Sequence, residues 1–253
     1  MSKGTALITG ASKRIGKAIA QTLAENGYDI AVHYYRSRDE AEDVVKGLLR
    51  HGIRARSFAA DLAREREVLA LWHAAQDALG PVTLLVNNAS LFERDEALDA
   101  TRASWDAHLE TNLRAPFVLA QCFARDLPAE RKGAIVNLLD QRVWNLTPHF
   151  TSYTLSKAGL WTLTQTLALA LAPRIRVNAV GPGPTLPSPR QTQDQFEKQC
   201  ASVPLGHGTT PEEVAAAVLF LAEARSITGQ MLALDGGEHL AWAQAKRGIV
   251  PSE

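Results

Sequence analysis

Two rhythms of apolar residues alternate along the chain. Residues 5–9 form a short apolar run that stops at Gly10, and Ile15, Ala18, Ile19 and Leu23 then recur at helical spacing up to Gly27. Short unbroken runs fit strands buried on both faces, whereas the i, i+3, i+4 recurrence fits a helix with one buried side. Further strands are predicted over residues 30–35, 54–60, 84–87, 134–139, 176–180 and 231–234, about seven in all. Helices are predicted over 39–51, closed by Gly52, over 64–79, and from Tyr153 to about Leu171. Strand and helix in regular alternation imply right-handed crossovers and a parallel sheet covered on both faces. The expected fold class is α/β, a single doubly wound parallel sheet. No linker, repeat or shift of composition divides the chain, so one domain is expected over residues 1–253. The irregular stretch 181–204 contains Pro182, Pro184, Pro187, Pro189 and Pro204. It follows a strand end, where ligands bind in open α/β sheets, and is expected to form a substrate loop.

Composition narrows the partners. The 253 residues carry 27 Lys plus Arg against 27 Asp plus Glu, with 46% apolar and 21% charged residues. That balance is ordinary for a soluble globular chain. It argues against nucleic acid and against an anionic membrane surface, both of which need clustered basic charge. Residues 160–172 are broken by three threonines and a glutamine, and fall short of the ~20 residues of a membrane span. The first ten residues are too poor in apolar side chains for a secretory signal, so a soluble, cytoplasmic protein is expected. Cys122 and Cys200 are too few for a disulfide framework; both sit in segments that read as helical, and they are expected to be small packed side chains in a reducing compartment. The seven histidines show no metal-ligand spacing, so no metal is expected, and no Gly-x-Ser-x-Gly elbow is present.

Candidate chemistry begins at residues 9–16, Thr-Gly-Ala-Ser-Lys-Arg-Ile-Gly, which join the first strand to the first helix. Gly10 permits a tight turn and Gly16 lets the helix approach the sheet. The helix N-terminus then offers N–H groups and a positive dipole end to a pyrophosphate. In NAD sites an acidic residue near the end of the second strand accepts from the ribose hydroxyl. Here the segment reads His33-Tyr34-Tyr35-Arg36-Ser37, with Arg36 20 residues after Gly16 and no carboxylate before Asp39. A guanidinium holds a 2′-phosphate that a carboxylate would repel. Lys13, Arg14 and Arg36 are expected to converge on one phosphate, which favours NADP(H) over NAD(H). Tyr153 and Lys157, at i and i+4, share a helix face, and the ammonium is expected to lower the phenol pKa for proton transfer.

Over essentially its whole length the chain resembles a short-chain dehydrogenase/reductase. The resemblance rests on the 9–16 turn, Asp61-Leu62, Asn87-Asn88-Ala89-Ser90, Asn112 in Thr-Asn-Leu, Tyr153 with Lys157, Gly181-Pro182-Gly183 and Asp235-Gly236-Gly237. It implies a Rossmann-type fold with proton donation by Tyr153, ribose binding by Lys157 and a water relay through Asn112. Asp61 and Leu62 would meet the adenine. Gly10, Ser12, Lys13, Arg14, Ile15 and Gly16 would cradle the pyrophosphate. Tyr35, Arg36 and Ser37 would meet the 2′-phosphate, and Asn88, Ala89 and Gly183 would line the remainder of the cofactor site.

Two departures from the family pattern carry more information than the matches. Arg14 stands where the glycine turn has its middle glycine, and Asp140 stands thirteen positions before Tyr153, where the catalytic serine is expected. Serine donates a hydrogen bond to a developing alkoxide. An ionised carboxylate cannot, and would repel it. A carboxylate does suit a substrate with ring N–H groups or a C=N bond. Arg14, Asp140, the 33–37 segment and Phe92 together resemble the pteridine reductase branch of the family. There the phenylalanine sandwiches the pterin against nicotinamide. The implied substrate site comprises Arg14, Phe92, Asp140, Tyr153 and Leu186, with Trp144 as a further candidate. The expected activity is NADPH-dependent reduction of a C=N bond in a dihydropteridine, of the dihydrobiopterin, dihydromonapterin or dihydrofolate class. The alternatives are a carbonyl reductase of the 3-oxoacyl-thioester or sugar type and a cofactor-sensing protein without turnover. The resemblance also implies a homotetramer built on the long helix and the last strand, with the tail 240–253 and its Trp242 reaching a neighbour.

Overall fold

The computed structural model describes residues 2–188 and 190–240. Seven strands form one sheet: β1 (Thr5–Ile8), β2 (Asp29–Tyr34), β3 (Ala55–Ala59), β4 (Val82–Asn87), β5 (Gly133–Leu138), β6 (Ile175–Pro182) and β7 (Met231–Leu234). All neighbours are parallel, in the order β3-β2-β1-β4-β5-β6-β7. The chain winds outward in both directions from β1 and β4, which opens a crevice above the C-terminal ends of those strands.

Period-two alternation sends each strand's side chains to two separate cores. Ala6, Ile8, Leu84 and Val86 face one way, against helices α1 (Arg14–Glu25), α2 (Arg38–Leu48) and α8 (Pro211–Glu223). Leu7, Leu85 and Ile135 face the other, against α3 (Glu65–Leu79), α5 (Ala115–Asp126) and α6 (Thr151–Leu171). Burial on both faces is why the strands read as unbroken apolar runs rather than alternating ones.

α4 (Arg102–Leu109) and α8 were not predicted, whereas the segments around Cys122 and Cys200 read as helical and form α5 and α7 (Gln193–Ser202), the latter within the stretch expected to be irregular. Thr192 and Gln195 form a reciprocal capping box that starts α7 despite the nearby prolines. Between α4 and α5 the backbone makes a π-helical turn, Glu110–Arg114, with Asn112 buried inside it. Cys122 is buried in α5, whereas Cys200 in α7 is only half-buried. Among the described residues no helix is long and apolar enough to cross a membrane. Pro189 and Trp242 lie outside the described residues.

Candidate active site

The glycine turn is held by the sheet itself. Asn88 donates to the carbonyls of Thr9 (2.8 Å) and Gly10 (3.1 Å), and the Thr9 hydroxyl accepts from the N–H groups of Asn88 and Ala89. The N–H of Gly10 donates to His33 Nδ1 at 3.0 Å, while His33 Nε2 lies 3.1 Å from the Ala60 carbonyl. Burial pushes the His33 imidazole down to about 4, so it is neutral and carries its proton on Nε2. A Cβ on Gly16 would strike the Gly10 carbonyl at 2.2 Å, so only glycine fits there. Over this turn runs a groove of about 660 Å³. Gly10 to Gly16, the 33–37 segment, Asp61, Leu62, Asn88 and Ala89 line it.

The three cations expected to meet at one phosphate all line this groove, but each is bonded to a different partner. Lys13 pairs with Glu40 at 2.6 Å. Arg36 lies over the Tyr35 ring at 4.6 Å and donates to its hydroxyl. Arg14 turns the other way and donates to the carbonyls of Pro187 (3.1 Å) and Leu186 (3.3 Å). Its φ of +51° is left-handed, a conformation costing an L-residue about 1–2 kcal/mol. That backbone geometry aims the side chain across the crevice onto the loop after β6.

The second cavity, about 310 Å³, adjoins the first and shares Arg14, Ile15, Asn88 and Ser90 with it. It gathers Phe92, Asp140, Tyr153, Lys157, Gly183 and Leu186, six residues spread over almost 100 positions of sequence. Trp144 does not line it. That indole instead lies edge-on to Trp161 at 6.2 Å and beside His239. Tyr153 donates to Asp140 Oδ2 at 2.8 Å, and the other oxygen of Asp140 accepts from the Arg142 N–H at 2.9 Å. Burial, reinforced by the Asp140 charge, raises the Tyr153 phenol well above its ordinary value. This reverses the expected direction. Lys157 Nζ donates to the Leu138 carbonyl at 2.8 Å and stands 5.8 Å from the tyrosine ring centre, so Asp140 is the nearer charge. Burial lowers Lys157 to about 8, opposed by Asp140.

Phe92 stacks on Phe150 at 4.5 Å and meets the Tyr153 ring edge-on at 4.7 Å. Phe150, at φ +60°, is the other described non-glycine residue in left-handed geometry, and it backs Phe92 rather than lining the cavity itself. Asn112 donates to the Leu91 carbonyl (2.9 Å) and to Ser156 (3.0 Å) and accepts from the Leu91 N–H. It thereby fixes the loop that carries Phe92 to the helix that carries Tyr153. Sequence reasoning missed Gln141, Arg142, Gln199 and Glu238, all of which line the cavity. For Glu238 a signal existed, since it follows Asp235-Gly236-Gly237 at a strand's C-terminal end.

The family model described as enoyl-(acyl carrier protein) reductase matches residues 10–239. The chain is 34% identical over 241 residues to the 3-oxoacyl-(acyl-carrier-protein) reductase FabG of Staphylococcus epidermidis, covering 93% of this chain and 99% of that protein. Among solved structures it is similar to FolM alternative dihydrofolate reductase 1 from Brucella suis in complex with NADP. The identity is 48%, the TM-score 0.92, and the coverage 95% and 97% of the two chains. The Brucella canis protein, also complexed with NADP, gives 47% identity, a TM-score of 0.93 and 98% coverage of both. With a family match across residues 10–239 and a glycine turn, Tyr153 and Lys157 brought around one crevice, the chain belongs to the short-chain dehydrogenase/reductase family.

Proposed function

We propose that this protein is an NADPH-dependent reductase that acts on a C=N bond of a pteridine-type ring, of the dihydrobiopterin, dihydromonapterin or dihydrofolate class. The observation that carries the reading is the 2.8 Å hydrogen bond from Tyr153 to Asp140. A serine there would donate to an alkoxide, whereas this carboxylate accepts and keeps the tyrosine protonated. The two FolM structures at 47–48% identity, both with NADP, support the same reading.

The groove over the glycine turn suits a dinucleotide. Its floor is glycine, the N-terminus of α1 faces it, and Arg36 has no carboxylate partner among the described residues. Arg36 and Ser37 would hold the 2′-phosphate, and Lys157 the nicotinamide ribose. When bound, NADPH supplies the hydride. The Tyr153–Asp140 pair would hold the proton that the ring nitrogen takes up as its N–H bond forms and the phenolic O–H breaks, and Lys157 would stabilise the phenolate left behind. Phe92 offers a flat face to the ring, and Arg14 would set the edge nearest the loop after β6.

Steady-state assays with dihydrobiopterin, dihydromonapterin and dihydrofolate, beside a 3-oxoacyl thioester, test the reading. Turnover of a pteridine supports it. Turnover of the thioester with none of any pteridine overturns it in favour of the carbonyl reductase reading. We further infer a cytoplasmic homotetramer, supported by Leu155, Leu169 and Phe220 exposed on α6 and α8. A monomeric mass by light scattering would remove that inference.

A further inference from the structure

The 310 Å³ cavity is lined by charged and phenolic donors that are already bonded and by acceptors that are not. The charged and phenolic donors have partners. Tyr153 donates to Asp140, Arg142 to Thr147 at 2.8 Å, Arg14 to two loop carbonyls and Lys157 to Leu138. Two acceptors do not. Gln141 Oε1 is buried without a hydrogen bond, and the Glu238 carboxylate has no hydrogen-bond or ion-pair partner among the described residues.

Glu238 is held in place by a rigid turn. Asp235 accepts from the N–H groups of Gly237 (3.0 Å) and His239 (2.8 Å), and the Glu238 carbonyl accepts from Asn145. Gly236 and Gly237 take φ of +64° and +86°, values that admit this tight return. A Cβ on Gly183 would come within 3.2 Å of Glu238 Oε2 and 2.7 Å of the Asp235 backbone, so glycine there makes room for the carboxyl. A buried or half-buried acceptor without a partner costs free energy unless a ligand supplies the donor. Such a ligand must bring N–H groups on the edge it turns toward Glu238.

We infer that Glu238 is a specificity-determining residue that accepts from the amino-bearing edge of the substrate ring. The inference rests on the pteridine reading and names what selects that ring. A 2-amino-4-oxo pyrimidine edge presents adjacent N–H donors, which a carboxylate grips in bidentate fashion. An oxoacyl chain presents none. Burial, with Asp140 and Asp235 adding to it and Arg142 opposing, raises the Glu238 carboxyl to about 7. Tyr153, Lys157 and Arg14 also border the cavity, and His239 is tied to Asp235 at 2.7 Å. The carboxylate form therefore grows in from pH 6 to pH 8, and selectivity for the amino edge grows with it.

The test compares 2-amino-4-oxopteridine with 2,4-dioxopteridine, in which a carbonyl replaces the amino group, as ligands of the NADP-loaded protein. Wild type is expected to bind the amino ring at least tenfold more tightly at pH 8. Glu238→Gln, whose amide also donates, is expected to bring the two rings within about twofold, with NADPH affinity unchanged as the check on folding. An undiminished preference in Glu238→Gln overturns the role of Glu238 and leaves the pteridine reading standing. If neither ring binds wild type and no dihydropteridine is turned over, both fall.

Discussion

At the N-terminal ends of the strands, Arg174 donates to the Leu127 and Pro128 carbonyls that follow α5, and Arg176 to Leu221 and Ala222 in the last turn of α8. Arg54 bonds both Asp29 and the Leu79 carbonyl that ends α3. At the C-terminal ends, the Glu238 carboxylate lines a cavity without a partner among the described residues, Gln141 Oε1 is buried unbonded, and Arg14 borders the cavity in a left-handed backbone state. The N-terminal cleft is the larger, about 790 Å³ against 310 Å³, and is rich in arginine. Size and charge do not make it the better site. Its guanidiniums serve the orphan carbonyls of helix C-termini, which would otherwise be unsatisfied. The opposite end receives helix N-termini and leaves polar atoms unspent for a ligand.

The sharpest break between the ends is expected in activity. Tyr153→Phe removes the proton donor and should lower kcat by about 10²–10⁴-fold, with the melting temperature held. Steady-state kinetics beside a thermal melt reads both. An unaffected rate would strip Tyr153 of its role.

His33 complicates the division, because it lies at the site end yet serves stability. Its folded value of about 4 lies below the ordinary 6.5, so the unfolded chain binds the extra proton between those limits. The stabilisation is complete above pH 6.5 and lost as pH falls toward 4. At about 1.4 kcal/mol per unit the loss is roughly 3 kcal/mol. Urea unfolding from pH 7.5 to 4.5 measures it, and His33→Asn should flatten that part of the profile.

Arg176→Ala tests the other end. Freed carbonyls should cost about 1–3 kcal/mol, or a melting temperature lower by roughly 3–10 °C at this chain length, with kcat/KM within twofold of wild type. A large kinetic loss would erase the contrast drawn above. Arg14→Gly relieves the left-handed strain while releasing the loop carbonyls. Its melting temperature should stay near wild type while KM for the pteridine rises several-fold. The smallest effect is expected for Lys13→Ala. The exposed pair with Glu40 is worth less than about 1 kcal/mol, so a KM for NADPH changed under threefold would fit.

The alternation of strand and helix, the glycine turn and the Tyr153–Lys157 pair were legible because each rests on local spacing. Helix α4 was not, since its eight residues, started by the Thr101–Ser104 capping box, are too short for an apolar recurrence to mark them. Asp140 was legible as a departure from a family pattern, and the 2.8 Å contact agrees with it. The direction of the Tyr153 pKa was not legible. The i+4 lysine is visible in sequence, but burial and the nearer carboxylate outweigh it.

The sequence by itself determined the α/β class and the parallel winding, because period-two and 3.6-residue patterns and glycine constraints are local, while the residues expected around the crevice followed mainly from the family resemblance. Tertiary structure alone decided where the charges go. Lys13, Arg14 and Arg36 read as one phosphate cluster, yet Glu40, two loop carbonyls and Tyr35 take them in three directions. Glu238, which the sequence marked only by its place after Asp235-Gly236-Gly237, becomes an unspent acceptor of the cavity among the described residues. Hydrogen-bond satisfaction is a property of the packed whole, and a one-dimensional pattern carries no record of which partners remain free.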